Sequence, residues 1–141
     1  MLKTNAFSFG TFLASFFLLF LLFSCQKRFH MTYQYADGSG NRYRLHQDSL
    51  KYIPVKPEMS SSGIYDGGDP QSVHLSHARQ EELIRLLTET LANERLHINS
   101  YPMGSGRISI DGKSCVIGMR SEAKKQIEAL LKQLLEESVQ E

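Results

Sequence analysis

The side chains that could do chemistry are concentrated between residues 60 and 77, where serine, aspartate and histidine recur. Ser62, Asp66 and His77 supply the hydroxyl, carboxylate and imidazole that a hydrolytic triad combines. No nucleophile-elbow motif surrounds these serines, and serine is common in loops for purely structural reasons. We therefore expect no catalytic residues and no enzymatic activity. The alternative is a small hydrolase that uses the region from Ser60 to His77.

The histidines of this region could also be metal ligands. His74 and His77 are three residues apart, with Asp66 and Asp69 nearby. Ser76 is expected to cap a helix between the two histidines, so their imidazoles need not share a face. No third ligand stands at a spacing typical of a metal site. We therefore predict no metal and no other cofactor.

Residues 60–70 are dense in serine and glycine and predict a loop. Its backbone N–H groups could cradle a ligand, although no Lys-Ser or Lys-Thr follows the glycines as in a phosphate loop. Long ordered loops in small domains are often functional, whereas the alternative is a plain connection. Tyr65 would be the anchor, because tyrosine is a rigid amphipathic contact residue. The candidate binding residues are Ser62, Gly63, Tyr65, Asp66, Gly67 and Gly68.

Alternation of apolar and polar residues predicts a hairpin formed by residues 29–35 and 42–46. Residues 50–56 predict a third strand at the sheet edge, because Pro54 and Pro57 cannot donate to a central ladder. Residues 73–75 predict a brief extended segment that leads into the first helix. The pattern of residues 95–101 is ambiguous, and a short strand is one interpretation of it. Several tyrosines and arginines of these strands suggest a basic aromatic face that could stack on bases or sugars. The alternative is that they are ordinary sheet residues, since tyrosine favours strands. These residues are Tyr33, Tyr35, Tyr43, Tyr52, Arg42 and Arg44.

Residues 107–117 predict a second hairpin, since Asp111-Gly112 suits a two-residue turn with positive φ at both positions. This register pairs Ile108 with Cys115 and places Cys115 and Met119 on the apolar face. A thiol in that position behaves as a small buried hydrophobe and is unreactive.

Two helices follow from leucine spacing, with Ser76 and Ser121 as N-caps. Glu128 and Lys132 are expected to pair at i, i+4. The apolar stripes are Leu83, Leu86, Leu87 and Leu91 in the first helix and Ile127, Leu130, Leu131, Leu134 and Leu135 in the second.

The order of elements predicts an α+β fold, an antiparallel sheet of about four or more strands with two helices packed on one face. The other face would be exposed to water. Residues 29–141 have the length of a single domain of this kind.

The charge balance argues against nucleic acid as a partner. The chain has 16 Lys and Arg against 15 Asp and Glu. Without Lys3 of the N-terminal segment the two signs are equal, whereas nucleic-acid binders usually carry a basic excess. No basic run exceeds the pair Lys27-Arg28, so the sequence gives no sign of a polybasic membrane patch.

Residues 1–24 have the pattern of an export signal. Lys3 precedes a long apolar segment that ends in Leu22-Phe23-Ser24-Cys25. These four residues resemble the lipobox of bacterial lipoproteins. The resemblance implies cleavage before Cys25 and acylation of its thiol, with residues 25–28 as a short tether. An uncleaved membrane helix is the alternative, but Lys27 and Arg28 would then lie on the exported side, against the positive-inside tendency.

The lipoprotein resemblance also implies a location. Gln26 replaces the aspartate that retains lipoproteins in the inner membrane in the best-known sorting scheme. This favours a lipid anchor in the outer membrane, facing the periplasm.

The sequence therefore predicts a lipid-anchored, non-enzymatic binding or interaction module of the bacterial envelope. Its expected partners are the membrane, through the lipid, and an envelope protein or peptide. The order of elements and the Gly67-Gly68 pair resemble small protease inhibitors of the emfourin type, which implies protease binding but assigns no inhibitory residue. A structural role in an envelope complex is a further alternative.

Overall fold

In the computed structural model, residues 31–137 are described, and they form one sheet of six antiparallel strands with two α-helices. This confirms the predicted α+β class. The predicted signal, Cys25 and the tether lie outside the described residues, as do both ends of the predicted domain. The strands are β1 (Thr32–Ala36), β2 (Arg42–His46), β3 (Ser49–Ile53), β4 (Gln71–His74), β5 (Gly106–Ile110) and β6 (Lys113–Ile117); the helices are α1 (His77–Ala92) and α2 (Glu122–Glu137).

The spatial order of the strands is β4-β3-β2-β1-β5-β6, and every neighbouring pair is antiparallel. The first strand in the chain therefore lies inside the sheet, between β2 and β5. Helix α1 connects the edge strand β4 to β5. Short 3₁₀ turns, Pro57–Met59 and Glu94–Leu96, occur in the longer connections.

One face of the sheet forms the core with both helices. Because side chains alternate along a strand, each strand contributes every second residue to this face. The predicted stripes of both helices are buried or partly buried against it. The least exposed strand residues of the core are Tyr35, Leu45, Leu50, Ile108 and Ile117.

The second hairpin has the predicted register and turn. Asp111 and Gly112 adopt φ values of 48° and 83°, and Ile108 pairs with Cys115. The prediction for Met119 is wrong, because β6 ends at Ile117 and Met119 is 55% exposed. The strand period therefore no longer applies at that residue.

The third strand is not at the sheet edge, so that prediction is also wrong. β3 pairs with β2 on one side and β4 on the other. It ends at Ile53, so Pro54 lies just beyond the ladder and costs no hydrogen bond within it. The extended entry to α1 is the true edge strand, β4. In the ambiguous segment 95–101, a bridge joins His97 to Ile117.

The two helix caps differ. The Ser76 side chain accepts a hydrogen bond from the backbone N–H of Arg79, as predicted. Ser121 precedes α2, but its Oγ is buried without a hydrogen-bond partner among the described residues. The predicted side-chain cap at Ser121 is therefore not formed.

Cys115 offers a test of the strand register. The residue is 6% exposed, and burial raises the pKa of its thiol, so less of the reactive thiolate is present at a given pH. In a Cys25→Ser chain, native Cys115 should react with Ellman's reagent roughly 100-fold more slowly than an exposed thiol. The control adds Ser114→Cys, which lies on the opposite, exposed face. Equal rates for both thiols would contradict the register.

Candidate functional site

The main candidate site is a cleft of about 800 Å³ between α2 and one end of the sheet. Side chains of β2, β3 and β4 line its sheet side, and five residues of α2 line the other. The turn after β1 and the segment before β5 close its ends. Its lining residues are Asp37, Gly38, Ser39, Tyr43, Tyr52, Gln71, Met103, Gly104, Met119, Lys124, Glu128, Lys132, Leu135 and Glu136.

A row of three tyrosines runs from the core into this cleft. Tyr35, Tyr43 and Tyr52 are direct neighbours on β1, β2 and β3. The ring centroids of Tyr35 and Tyr43 are 6.1 Å apart, and those of Tyr43 and Tyr52 are 5.0 Å apart. Such tilted pairs stabilise each other beyond the area they bury. Tyr35 is fully buried, whereas Tyr43 and Tyr52 present ring surface to the cleft.

A polar network fixes α2 to the end of this row. The Tyr35 hydroxyl donates to Glu128 Oε1 at 2.9 Å. Lys124 Nζ lies 2.7 Å from the same oxygen and 2.8 Å from Oε2. The lysine side chain is only 11% exposed, so the carboxylate neutralises an ammonium group that could not otherwise be buried.

The tyrosine hydroxyls of this network are donors and not bases. Burial raises the pKa of Tyr35 far above its ordinary value, and the Glu128 carboxylate raises it further. The pKa of Tyr43 is also raised, first by burial and then by Asp37. Both hydroxyls therefore stay protonated at physiological pH.

The predicted pair of Glu128 with Lys132 is not formed. Glu128 pairs instead with Lys124, one turn earlier, and Lys132 Nζ lies 3.7 Å from Glu136 Oε1. Lys124 is favoured because it lies against the sheet, where Tyr35 already fixes the carboxylate.

Two methionines give the cleft an adaptable rim. Met103 is 94% exposed and Met119 is 55% exposed. The backbone beside these methionines is tightly packed, because a Cβ on Gly38 would lie 2.5 Å from Gly104 Cα. Glycine at both positions lets the turn after β1 contact the segment before β5, and this contact closes the cleft.

The loop singled out from the sequence lies beside the cleft. The Tyr52 hydroxyl donates to the carbonyl of Gly67 at 2.7 Å, which joins the loop to the tyrosine row. The backbone N–H of Gly67 donates to Val55 O at 2.9 Å. A Cβ at residue 67 would collide with the Asn41 side chain, so this approach requires glycine.

Asn41 holds the loop against the first turn. It is 4% exposed, and its Nδ2 donates to Asp37 Oδ2 and to Tyr65 Oη, both at 2.8 Å. Its Oδ1 accepts from the backbone N–H of Val55 at 3.0 Å. One buried amide therefore links β1, β3 and the predicted anchor Tyr65.

The other candidate binding residues mostly bond within the loop. Asp66 accepts from Gly68 N at 3.0 Å and lies 3.4 Å from Lys56 Nζ. The Ser62 hydroxyl lies 2.9 Å from Ser60 Oγ, and Gly63 N donates to Ser60 O at 3.0 Å. These bonds order the loop and leave Ile64, which is 84% exposed, at its surface.

The structure does not bring the hydrolytic triad together. Ser62 and Asp66 lie in the loop before β4, and His77 begins the helix after it. The length of β4 separates them, and no hydrogen bond within residues 31–137 connects any two of the three. His77 instead lies 3.5 Å from Glu81, and His74 lies 3.5 Å from Asp48.

Among the described residues, no three His, Cys, Asp or Glu side chains are arranged to hold a metal ion. The prediction of a basic aromatic face is wrong, because the alternation of side chains along each strand places the tyrosines and the arginines on opposite faces of the sheet. Tyr35 and Tyr43 point to the helices, whereas Arg42 and Arg44 are exposed on the opposite face.

Sequence reasoning missed Lys124, Met103 and Gln71 as cleft residues. No sequence pattern marks these three residues as neighbours, because only the packing of α2 across the end of the sheet brings them into one cleft. No helix within residues 31–137 has the length and apolar character needed to cross a bilayer. No family model matches the chain, and neither the curated proteins nor the solved structures contain a match.

Asn41→Ala should lower the free energy of unfolding by about 1–3 kcal/mol, because Val55 N and Asp37 would lose a buried partner. Urea unfolding measures this change. The control Asn99→Ala removes an exposed amide and should change stability by less than about 0.5 kcal/mol. Equal stabilities would show that the loop is not held by Asn41.

Proposed function

We propose that this chain is a bacterial lipoprotein, acylated on Cys25, whose domain is a non-enzymatic binding module of the cell envelope. The support for the anchor is the sequence from Lys3 to Cys25, which combines a positive start, an apolar segment and a lipobox. Gln26 favours the outer membrane, with the domain in the periplasm.

The ligand of the cleft is a peptide segment of an envelope protein. The observation that carries this proposal is the combination of exposed aromatic and methionine surface with a few fixed polar groups in one concave site. Tyr43 and Tyr52 offer rigid apolar contact area, and methionine adapts to differently shaped apolar side chains.

The polar groups of the cleft suit peptide bonds rather than one charged group. The carboxylate and ammonium groups of α2 pair with each other, so the helix wall selects no single charge sign. The Tyr43 hydroxyl and the Gln71 amide have no hydrogen-bond partner within residues 31–137, and both types of group can donate to carbonyls or accept from N–H groups.

Binding without catalysis is supported by the same groups. A reaction in the cleft would need a base or nucleophile, but the tyrosine hydroxyls stay protonated because burial raises their pKa. Glu128 already accepts from Tyr35 and Lys124. The network therefore positions α2 and shapes the cleft.

The lipid anchor predicts that Cys25→Ser abolishes acylation, because no thiol remains for the diacylglyceryl group. The protein should move from the membrane to the soluble fraction, or remain as an uncleaved precursor. Fractionation of cells and the intact mass of the product distinguish these results. Unchanged mass and unchanged fractionation would contradict the anchor, and Cys115→Ser is the matched control.

If the cleft binds a peptide, Met103→Glu should reduce capture of the partner. A photoreactive residue in place of Gln71 crosslinks to the bound partner in intact cells. The yield of crosslinked partner should fall roughly ten-fold, since an unpaired carboxylate in the apolar contact costs more than about 1.4 kcal/mol. Met103 is exposed, so folding should be unaffected.

Two controls carry the same charge change elsewhere. Thr88→Glu lies on the exposed surface of α1 and should leave the yield unchanged. Ile64→Glu lies on the loop of residues 62–68. If Ile64→Glu abolishes capture and Met103→Glu does not, the loop and not the cleft is the binding site.

A further inference from the structure

The sheet face that no helix covers carries a concentration of positive charge. Its outward residues are the alternate positions to the core residues on each strand. The six strands contain no aspartate or glutamate at all. The cations exposed on this open face are Arg42, Arg44, Lys51 and Arg107.

Acidic residues are concentrated on the other side of the sheet. Helices α1 and α2 together contain seven glutamates against five Lys and Arg. The equal numbers of charges in the sequence from Cys25 onward therefore conceal two unlike surfaces. Asp48 in the turn after β2 lies 3.5 Å from His74.

The four cations of the open face have no ion-pair partner within residues 31–137. Arg44 pairs directly with Lys51 in the ladder, although like charges opposite each other destabilise a sheet. Such an arrangement becomes favourable when an external anion neutralises both groups. The open face therefore fits an anionic partner.

A shallow pocket of about 430 Å³ lies within this face. Arg42 and Arg107 flank Ala36 on either side in the ladder, so a small side chain forms the floor between two guanidinium groups. Tyr101 packs on Arg107, with 4.9 Å from the guanidinium carbon to the ring centroid. Ser109 and Ser114 add hydroxyl donors. Two arginines and hydroxyls are the groups that bind phosphate oxygens.

The position of the anchor decides which anion this face meets. Thr32 follows Cys25 by seven residues, and seven residues span at most roughly 25 Å. β1 lies inside the sheet, so acyl chains on Cys25 would keep the open face within reach of the bilayer surface. Phosphate headgroups there form a dense, flat array of anions.

We propose that the open face binds the phosphate headgroups of anionic lipids, with one headgroup phosphate held between Arg42 and Arg107. This inference rests on the proposed acylation of Cys25. The helices and the cleft then face away from the membrane, where a peptide can reach them. The open face is thus a membrane-docking surface that the sequence shows only as scattered basic residues.

The test uses protein processed in bacterial cells and mixed with vesicles of phosphatidylcholine alone or with phosphatidylglycerol. A fluorescent probe on Ser72→Cys, which pairs with Lys51 on the open face outside the pocket, reports that face, and one on Thr88→Cys reports the outer surface of α1. A quencher attached to lipid headgroups should quench the Ser72 probe in the phosphatidylglycerol vesicles only. The Thr88 probe should stay unquenched in both.

Charge reversal then tests the arginine pair. Arg42→Glu with Arg107→Glu should return the Ser72 probe to the signal in phosphatidylcholine, since each basic residue contributes roughly five-fold to docking. The control, Arg85→Glu with Lys125→Glu, makes the same charge change on exposed helix positions and should keep the quenching.

The outcomes separate this inference from the anchor. Protein that does not float with the vesicles would overturn the acylation of Cys25. Protein that floats while the Ser72 probe stays unquenched would overturn only the docking of the open face. Quenching that is equal in both vesicle types would overturn the preference for anionic lipid. A change in the fluorescence of the Ser72 probe on addition of envelope extract without lipid would assign the face to an acidic protein instead.

Discussion

Each strand of this sheet can bury only every second side chain, and this constraint separates the molecule into a packed side and an open side. The buried positions hold tyrosine, leucine and isoleucine, which pack against both helices. The alternate positions hold arginine, lysine and serine. The same alternation therefore produces the core, the base of the cleft and the basic face.

The cleft follows from a difference in width. Six strands spaced about 4.8 Å apart make a surface about 24 Å across, whereas two helices about 10 Å thick cannot cover all of it. Near Tyr43 and Tyr52 the sheet is left uncovered. Tyrosine suits such a position, because its ring packs on the core while its hydroxyl meets water or a ligand. The Tyr35–Glu128 bond sets where α2 crosses and hence where the cleft begins.

The proposed functions use opposite sides of the sheet and do not compete. A domain anchored at Cys25 would rest its basic face on the membrane and present the cleft to the periplasm. The buried amide of Asn41 joins the turn next to the cleft to the loop beyond β3 and so fixes one side of the cleft.

The sequence by itself determined the features that depend on near neighbours. Asp111-Gly112 can form its turn without help from distant residues, and the Ser76 cap and the leucine stripes have the same local origin. The tertiary structure decided everything that depends on distant pairing. The interior place of β3 required β4 to pair with it. The choice of Lys124 over Lys132 depends on Tyr35 of β1, and the meeting of Arg42 with Arg107 required β1 to lie between β2 and β5. That placement joins residues about 75 positions apart, so no local pattern encodes it.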